Sequence, residues 1–206
     1  MLEFDGLHIE TSEAVYKPSD DSFLAAELVK DYLSHYAEKS LDVLDMGTGT
    51  GILGLLCAKS GKAKSVTFAD ISGDAVALAR LNYAENAKSI KDCVCRFVVT
   101  DLFSTIEGRY DLVIFNAPYL RHEEDDDRYE ISRAWDGGAE GIELSLSFLD
   151  ELEPHMKHGG RAVIVASTAS EYEKLLDYIS SLGYSVLETR KVHFFFEDIV
   201  AMLISL

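Results

Sequence analysis

Asn116-Ala117-Pro118-Tyr119 directly follow the apolar run Asp111-Leu-Val-Ile-Phe115 and carry the groups needed to hold a planar NH2. Asn116 offers an amide oxygen, and the main-chain carbonyls of Ala117 and Pro118 add further acceptors. Pro118 removes an N–H that would compete for them and stiffens the turn. Tyr119 supplies an aromatic face. Acceptors that fix an NH2 shift electron density onto its nitrogen, and a ring against its plane holds that nitrogen in line with an electrophile. The nitrogen becomes acidic only once alkylated, so no strong base is needed before attack. The chemistry this pattern suits is N-alkylation.

A second group of residues suits the ligand that would bring the alkyl group. Val43-Leu-Asp-Met-Gly-Thr-Gly-Thr-Gly-Ile52 reads as a strand, a tight turn and a helix start, with Gly47, Gly49 and Gly51 letting a ligand approach the main chain. The dinucleotide fingerprint is not met, because its glycines occupy the first, third and sixth positions and here they fall at the first, third and fifth. Asp45 stands two residues before the first glycine, poor company for a pyrophosphate and good company for a cation. Asp70 ends the next candidate strand, where a carboxylate can take both hydroxyls of a ribose. Asp101 ends the strand after that. Three aspartates along one edge beside a glycine turn point to a ligand with a ribose, an adenine and a positive charge. S-adenosylmethionine fits, and a nicotinamide dinucleotide fits worse for want of a phosphate-neutralising group.

These residues need elements that bring them to one edge. Apolar runs at 41–46, 65–70, 94–99, 111–116 and 161–166 alternate with helical periodicity at 52–60, 73–88, 140–157 and 170–182, the pattern of a parallel sheet covered on both faces. After Gly183 the alternation stops, and 184–190 and 199–205 predict an antiparallel pair closing one side of the sheet. Residues 20–36 predict an N-terminal helix over the sheet. The expected arrangement is one domain over 1–206, with an N-terminal extension and helix at 1–38 and an acidic loop at 120–139 beside the site.

The segments Val15-Tyr-Lys-Pro-Ser-Asp-Asp-Ser-Phe23, Asp45 to Gly51, Asp70, Asp101-Leu102, Asn116-Ala-Pro-Tyr119 and Ala134-Trp-Asp-Gly-Gly138 carry a resemblance. The chain resembles the class I S-adenosylmethionine-dependent methyltransferases, and within them the HemK family of protein N5-glutamine methyltransferases, in its short archaeal and eukaryotic branch. The resemblance implies a Rossmann-like α/β fold, a mostly parallel seven-stranded sheet with an antiparallel last strand and helices on both faces. It implies S-adenosylmethionine as cofactor and the glutamine of a Gly-Gly-Gln loop in a class 1 release factor as substrate. By position, Ser22 would approach the methionine carboxylate, Asp45 and Gly47 the methionine amine and glycine turn, Asp70 the ribose, and Asp101 and Leu102 the adenine. Asn116 would border the cofactor and hold the target amide together with the Ala117 carbonyl. Ala117 stands where the family has proline, Ser22 where it has threonine, and Lys17 where the branch more often has an acidic residue. The first two changes keep the carbonyl and the hydroxyl that the roles require.

The same motif serves adenine N6 methyltransferases of DNA or RNA, since adenine N6 is also an NH2 on a plane. Methylation of a small molecule or another protein, or a non-catalytic binding subunit, would keep the same cofactor residues. Charge weighs against nucleic acid. With 36 acidic and 19 basic residues the net charge is −17, so general binding gains no counterion release. Part of that charge, Glu123 to Asp127 with Glu130 and Asp136, falls in the predicted loop after Tyr119. There it would steer a basic protein loop towards the site, with Trp135 packing the loop down. No run reaches 18 apolar residues and the first ten residues carry acidic side chains, which predicts a soluble cytoplasmic protein without membrane contact. Cys57, Cys93 and Cys95 predict reduced thiols, and the six scattered histidines predict no metal site. Val94 to Val99 is apolar for an expected sheet edge, and relatives in this branch work with a small zinc-binding activator of the Trm112 type. That strand is the predicted surface for such a partner.

Overall fold

The computed structural model describes residues 1–36, 40–116, 141–194 and 196–206. It opens with a hairpin of β1 (Leu2–Phe4) and β2 (Leu7–Ile9). Asp5 and Gly6 close it, both with positive φ (51° and 68°), the conformation that lets a two-residue turn follow the strand twist. The sequence analysis did not expect this hairpin, because three-residue strands are too short to show a period.

The main sheet contains β3 (Leu41–Met46), β4 (Ala63–Asp70), β5 (Val94–Val99), β6 (Tyr110–Phe115), β7 (Met156–Ser167), β8 (Ser185–Phe194) and β9 (Glu197–Ser205). Their order is β5-β4-β3-β6-β7-β9-β8, and every pairing is parallel except the two made by β9. The expected mostly parallel seven-stranded sheet with an antiparallel last strand is therefore present. Strand order reverses between β3 and β6, the point at which open α/β sheets leave a crevice at their carboxyl ends.

Helices α1 (Asp20–Asp31), α2 (Ile52–Lys59) and α3 (Gly73–Asn86) contribute to the apolar layer on one face, and α4 (Glu143–Leu152) and α5 (Tyr172–Ser181) to that on the other. In α2 seven residues from Ile52 to Ala58 are buried, because α1 packs over it while β4 lies beneath. No helix among the described residues is long and apolar enough to cross a membrane. Several expected boundaries move, and the strand expected at 184–190 runs on to Phe194. Helix 20–36 ends at Asp31 and widens into a π-helical turn at Tyr32–Tyr36. Helix 140–157 stops at Leu152, and Pro154 sits in the short turn that follows, where it cannot donate to a continuing helix. The chain then enters β7 at Met156, five residues before the expected start.

Two buried asparagines tie the N-terminal segment to α3. Asn86 Nδ2 donates to the His8 carbonyl (2.7 Å) while its Oδ1 accepts from His8 N (2.9 Å). Asn82 does the same with Glu10 (3.1 and 2.8 Å) and also donates to the Thr50 carbonyl (2.9 Å). Each side chain acts as a piece of partner strand, satisfying backbone groups that burial would otherwise leave unpaired. Because Asn82 grips both Glu10 and Thr50, it fixes the N-terminal segment against the glycine turn.

Candidate active site

Parallel pairing places Asp45 level with Phe68 and Ile114, Met46 with Ala69 and Phe115, and Asp70 with Val99. The loops leaving β3, β4, β5 and β6 therefore start from one edge, and a cavity of about 440 Å³ opens there. Val15, Tyr16, Pro18 and Ser22 bound it from the N-terminal segment, Gly47 to Thr50 from the glycine turn, and Asp70, Asp101, Leu102 and Asn116 from the other strand ends. Sequence reasoning named most of these.

The turn is held from behind. Asp45 is buried and not among the lining residues; its Oδ2 accepts from Thr48 Oγ1 (2.6 Å) and Gly54 N (2.9 Å). Gly51 also lies behind the wall, with φ +83° and so close to α3 that an added Cβ would stand 3.0 Å from the Ala79 Cβ. Asp45 and Gly51 thus shape the turn, while Gly47 and Gly49 face the cavity.

Burial pushes the Asp45 carboxyl up to about 7, overcoming the bonds from Thr48 and Gly54, with the charge of Asp70 acting in the same direction as burial. An acid whose folded pKa lies above its unfolded value of 3.8 binds more protons when folded. Its contribution to stability is complete below about pH 4 and is lost as pH rises through about 7. Both hydrogen bonds fall on one oxygen, so Asp45→Asn retains them and removes the titration. The unfolding free energy of the natural chain relative to this variant is expected to fall between pH 4 and 7, by on the order of 4 kcal/mol. Denaturant titrations across that range check it, and a pH-independent difference refutes it.

Asp70 is the better-placed carboxylate. Its Oδ2 accepts from Gly49 N (2.9 Å) and its Oδ1 from Ser72 N (2.9 Å), and the Ile71 N–H also holds the carboxylate. Burial raises its pKa. Ser72 caps α3, with its Oγ accepting from Ala75 N at 3.3 Å, so the carboxylate is fixed to a helix start. Asp101 is exposed at the cavity rim, and Leu102 has φ +42°. Buried Thr100 holds that turn: its Oγ1 donates to the Leu102 carbonyl (3.0 Å) and accepts from Thr105 N (3.2 Å).

At the end of β6, Phe115 stacks on Phe148 of α4 with ring centroids 4.2 Å apart and fixes the strand terminus. Asn116 follows. Its Nδ2 donates to Asp21 Oδ2 (3.2 Å) and lies 3.4 Å from Ser22 Oγ, and its Oδ1 is buried without a partner among the described residues. Sequence reasoning assigned no role to Asp21, because an Asp-Asp pair at a helix start reads as capping and solubility. In the fold Asp21 is buried, and Tyr16, whose hydroxyl burial pushes up to about 12, leans against it. Ala117, Pro118 and Tyr119, the Trp135 segment and the acidic run Glu123 to Asp127 lie outside the described residues.

The methyltransferase small domain model matches residues 21–193. The chain belongs to that methyltransferase family. It is 33% identical over 204 residues to a Methanocaldococcus jannaschii protein provisionally named a protein N5-glutamine methyltransferase, covering 98% of this chain and 97% of that one. To the release factor glutamine methyltransferase of Streptococcus pneumoniae it is 37% identical over 123 residues, 60% of this methyltransferase but only 41% of the bacterial protein. Among solved structures, the E. cuniculi Mtq2-Trm112 complex, described as methylating the eRF1 termination factor, superposes with a TM-score of 0.64. That match covers 93% of this chain and 98% of the other at 22% identity, and is a likeness of fold.

Proposed function

We propose that this methyltransferase uses S-adenosylmethionine to methylate the side-chain amide nitrogen of a glutamine in a protein, with the Gly-Gly-Gln loop of a class 1 release factor as its substrate. One observation carries the reading. Asn116 lines the cavity, and among the described residues its buried Oδ1 has no partner while its NH2 is engaged by Asp21. A buried acceptor left unpaired costs about 1–3 kcal/mol, and an incoming amide NH2 removes that cost.

The residues present fit the cofactor. Asp70 lines the cavity with a fixed carboxylate, the kind of acceptor a ribose diol requires. Asp101 at the rim and the Leu102 turn suit an adenine amino group and ring, and the glycine turn suits the methionine end, while Ser22 lines the cavity with its hydroxyl donated to Asp21. Bound S-adenosylmethionine supplies an electrophilic methyl on a sulfonium. Asn116 Oδ1 accepts from the target NH2 and orients its nitrogen, and α4 with the N-terminal segment limits access of water. Asn116 would hold the nitrogen where the bound cofactor would supply its methyl, and the alkylated nitrogen would release its proton to solvent.

The names of the relatives support glutamine as acceptor. β5 supports a partner. It is one of the two edge strands, with no strand on its outer side among the described residues, and its Val94 and Val99 are 58% and 55% exposed. A small zinc-binding activator of the Trm112 type is the proposed occupant. The test is transfer from labelled S-adenosylmethionine to a class 1 release factor, with and without the activator, and mass spectrometry of the Gly-Gly-Gln peptide. Methylated glutamine is the expected product, with higher activity in the complex. Labelling confined to duplex DNA or RNA overturns the reading.

A further inference from the structure

We propose that Asp21 is a positioning residue that sets which end of the Asn116 amide faces the substrate. The proposal rests on the reading of Asn116 as the holder of the target amide. The two ends of an asparagine amide are nearly the same size, and only the neighbours decide the orientation. With Oδ1 forward, Asn116 accepts from a substrate NH2. With Nδ2 forward, it opposes one donor with another.

Asp21 removes that choice. Its Oδ1 accepts from Ser22 N (2.6 Å) and Ser22 Oγ (3.1 Å), and from one of the hydroxyls of Ser19 (3.0 Å) and Tyr16 (3.3 Å), which also share a bond of 2.8 Å with each other. Three donors on one oxygen lock the side chain, which is 5% exposed, and turn Oδ2 towards Asn116. A carboxylate in this setting accepts only, so it takes Nδ2 and rejects Oδ1. Ser22 reinforces the choice, because its hydroxyl proton is spent on Asp21 and its oxygen is left to accept from Asn116. The acceptor orientation at the end of β6 is thus set from the start of α1, 95 residues earlier in the chain.

Asp21→Asn keeps the shape and changes the code. The substituted side chain places its own NH2 against Asn116, which satisfies it by flipping and offering Nδ2 to the substrate. The expected loss in kcat is about 100-fold, comparable to removal of one well-placed polar group from a reacting centre. Affinity for S-adenosylhomocysteine is expected to stay within about threefold. The exchanged pair Asp21→Asn with Asn116→Asp restores an acceptor facing the cavity, and is expected to recover at least about tenfold in kcat over Asp21→Asn alone. A second readout needs no activity. In 15N spectra of the natural chain the Asn116 side-chain amide, identified by its loss in Asn116→Ala, is expected to exchange with solvent far more slowly than exposed asparagine amides. In Asp21→Asn the slow amide is expected at position 21 instead. Fast exchange of the Asn116 amide in the natural chain overturns the proposal. So does an Asp21→Asn variant with unchanged kcat, or one that loses cofactor affinity as much as kcat. If the natural chain methylates no glutamine, the functional reading fails, and the exchange rates still decide the orientation.

Discussion

Asn116→Ala is expected to lower kcat for glutamine methylation by at least about 100-fold and to weaken S-adenosylhomocysteine binding by no more than about fivefold. The side chain gives the cavity its one buried accepting oxygen without a partner among the described residues. Its removal takes away the group that holds the target amide while Asp70, the Leu102 turn and Gly47 to Thr50 stay in place. The lost bond from Nδ2 also leaves Asp21 Oδ2 short of a donor in a buried position, a cost to folding of about 1–3 kcal/mol. Single-turnover transfer from labelled cofactor and calorimetric binding of S-adenosylhomocysteine separate the two effects. Equal losses in both would make Asn116 a cofactor residue, and an unchanged kcat would remove it from the reaction.

Gly54→Ala is expected to be the most damaging of the smallest possible substitutions. A methyl group there would overlap the Phe68 ring and lie 2.8 Å from Asp45 Oδ2, on the inner side of α2. Phe68 is fully buried and stacked on Phe97 with centroids 4.8 Å apart, so the ring has nowhere to go. Overpacking of this kind costs about 3 kcal/mol, which for a chain of this size lowers Tm by roughly 6–12 °C. Displacing Asp45 also loosens the turn it holds through Thr48, so cofactor affinity is expected to fall with stability. Gly73→Ala is the control: an added Cβ meets nothing within 4 Å at the start of α3, and Tm is expected to stay the same or rise slightly. Thermal unfolding of both variants decides the matter. A Gly54→Ala protein as stable as the control would show that the contact between α2 and β4 can relax.

The two positions differ in how openly the sequence declared them. Asn116 was legible because its chemistry is local: the residue follows an apolar run and leads a proline turn. Gly54 was not, since a glycine inside a helical stretch says nothing until the ring opposite it is known. Asp21 and Asn82 were missed for a related reason. An acidic residue at a helix start and an asparagine in a helix each have bland local uses, and only their partners 95 and 72 residues away give them others. Asn82 and Asn86 did carry a signal, two amides four residues apart on a helix face whose other members are alanine, valine and leucine. Asp45 was recognised as important, but its expected direction was towards a ligand, and burial turned it towards Thr48 and Gly54.

By itself the sequence determined the alternation of strands and helices, the reversal after Gly183, the three aspartates at or just beyond the ends of neighbouring strands and the family to which they belong. These are consequences of period and position within single elements, where hydrophobic pattern and turn chemistry act over a few residues. Tertiary structure decided which of those aspartates faces the cavity, how the N-terminal segment becomes one of its walls, and which way the Asn116 amide points. Those choices depend on burial and on hydrogen bonds between distant segments, whose strength comes from the exclusion of water once the sheet and its helices have closed.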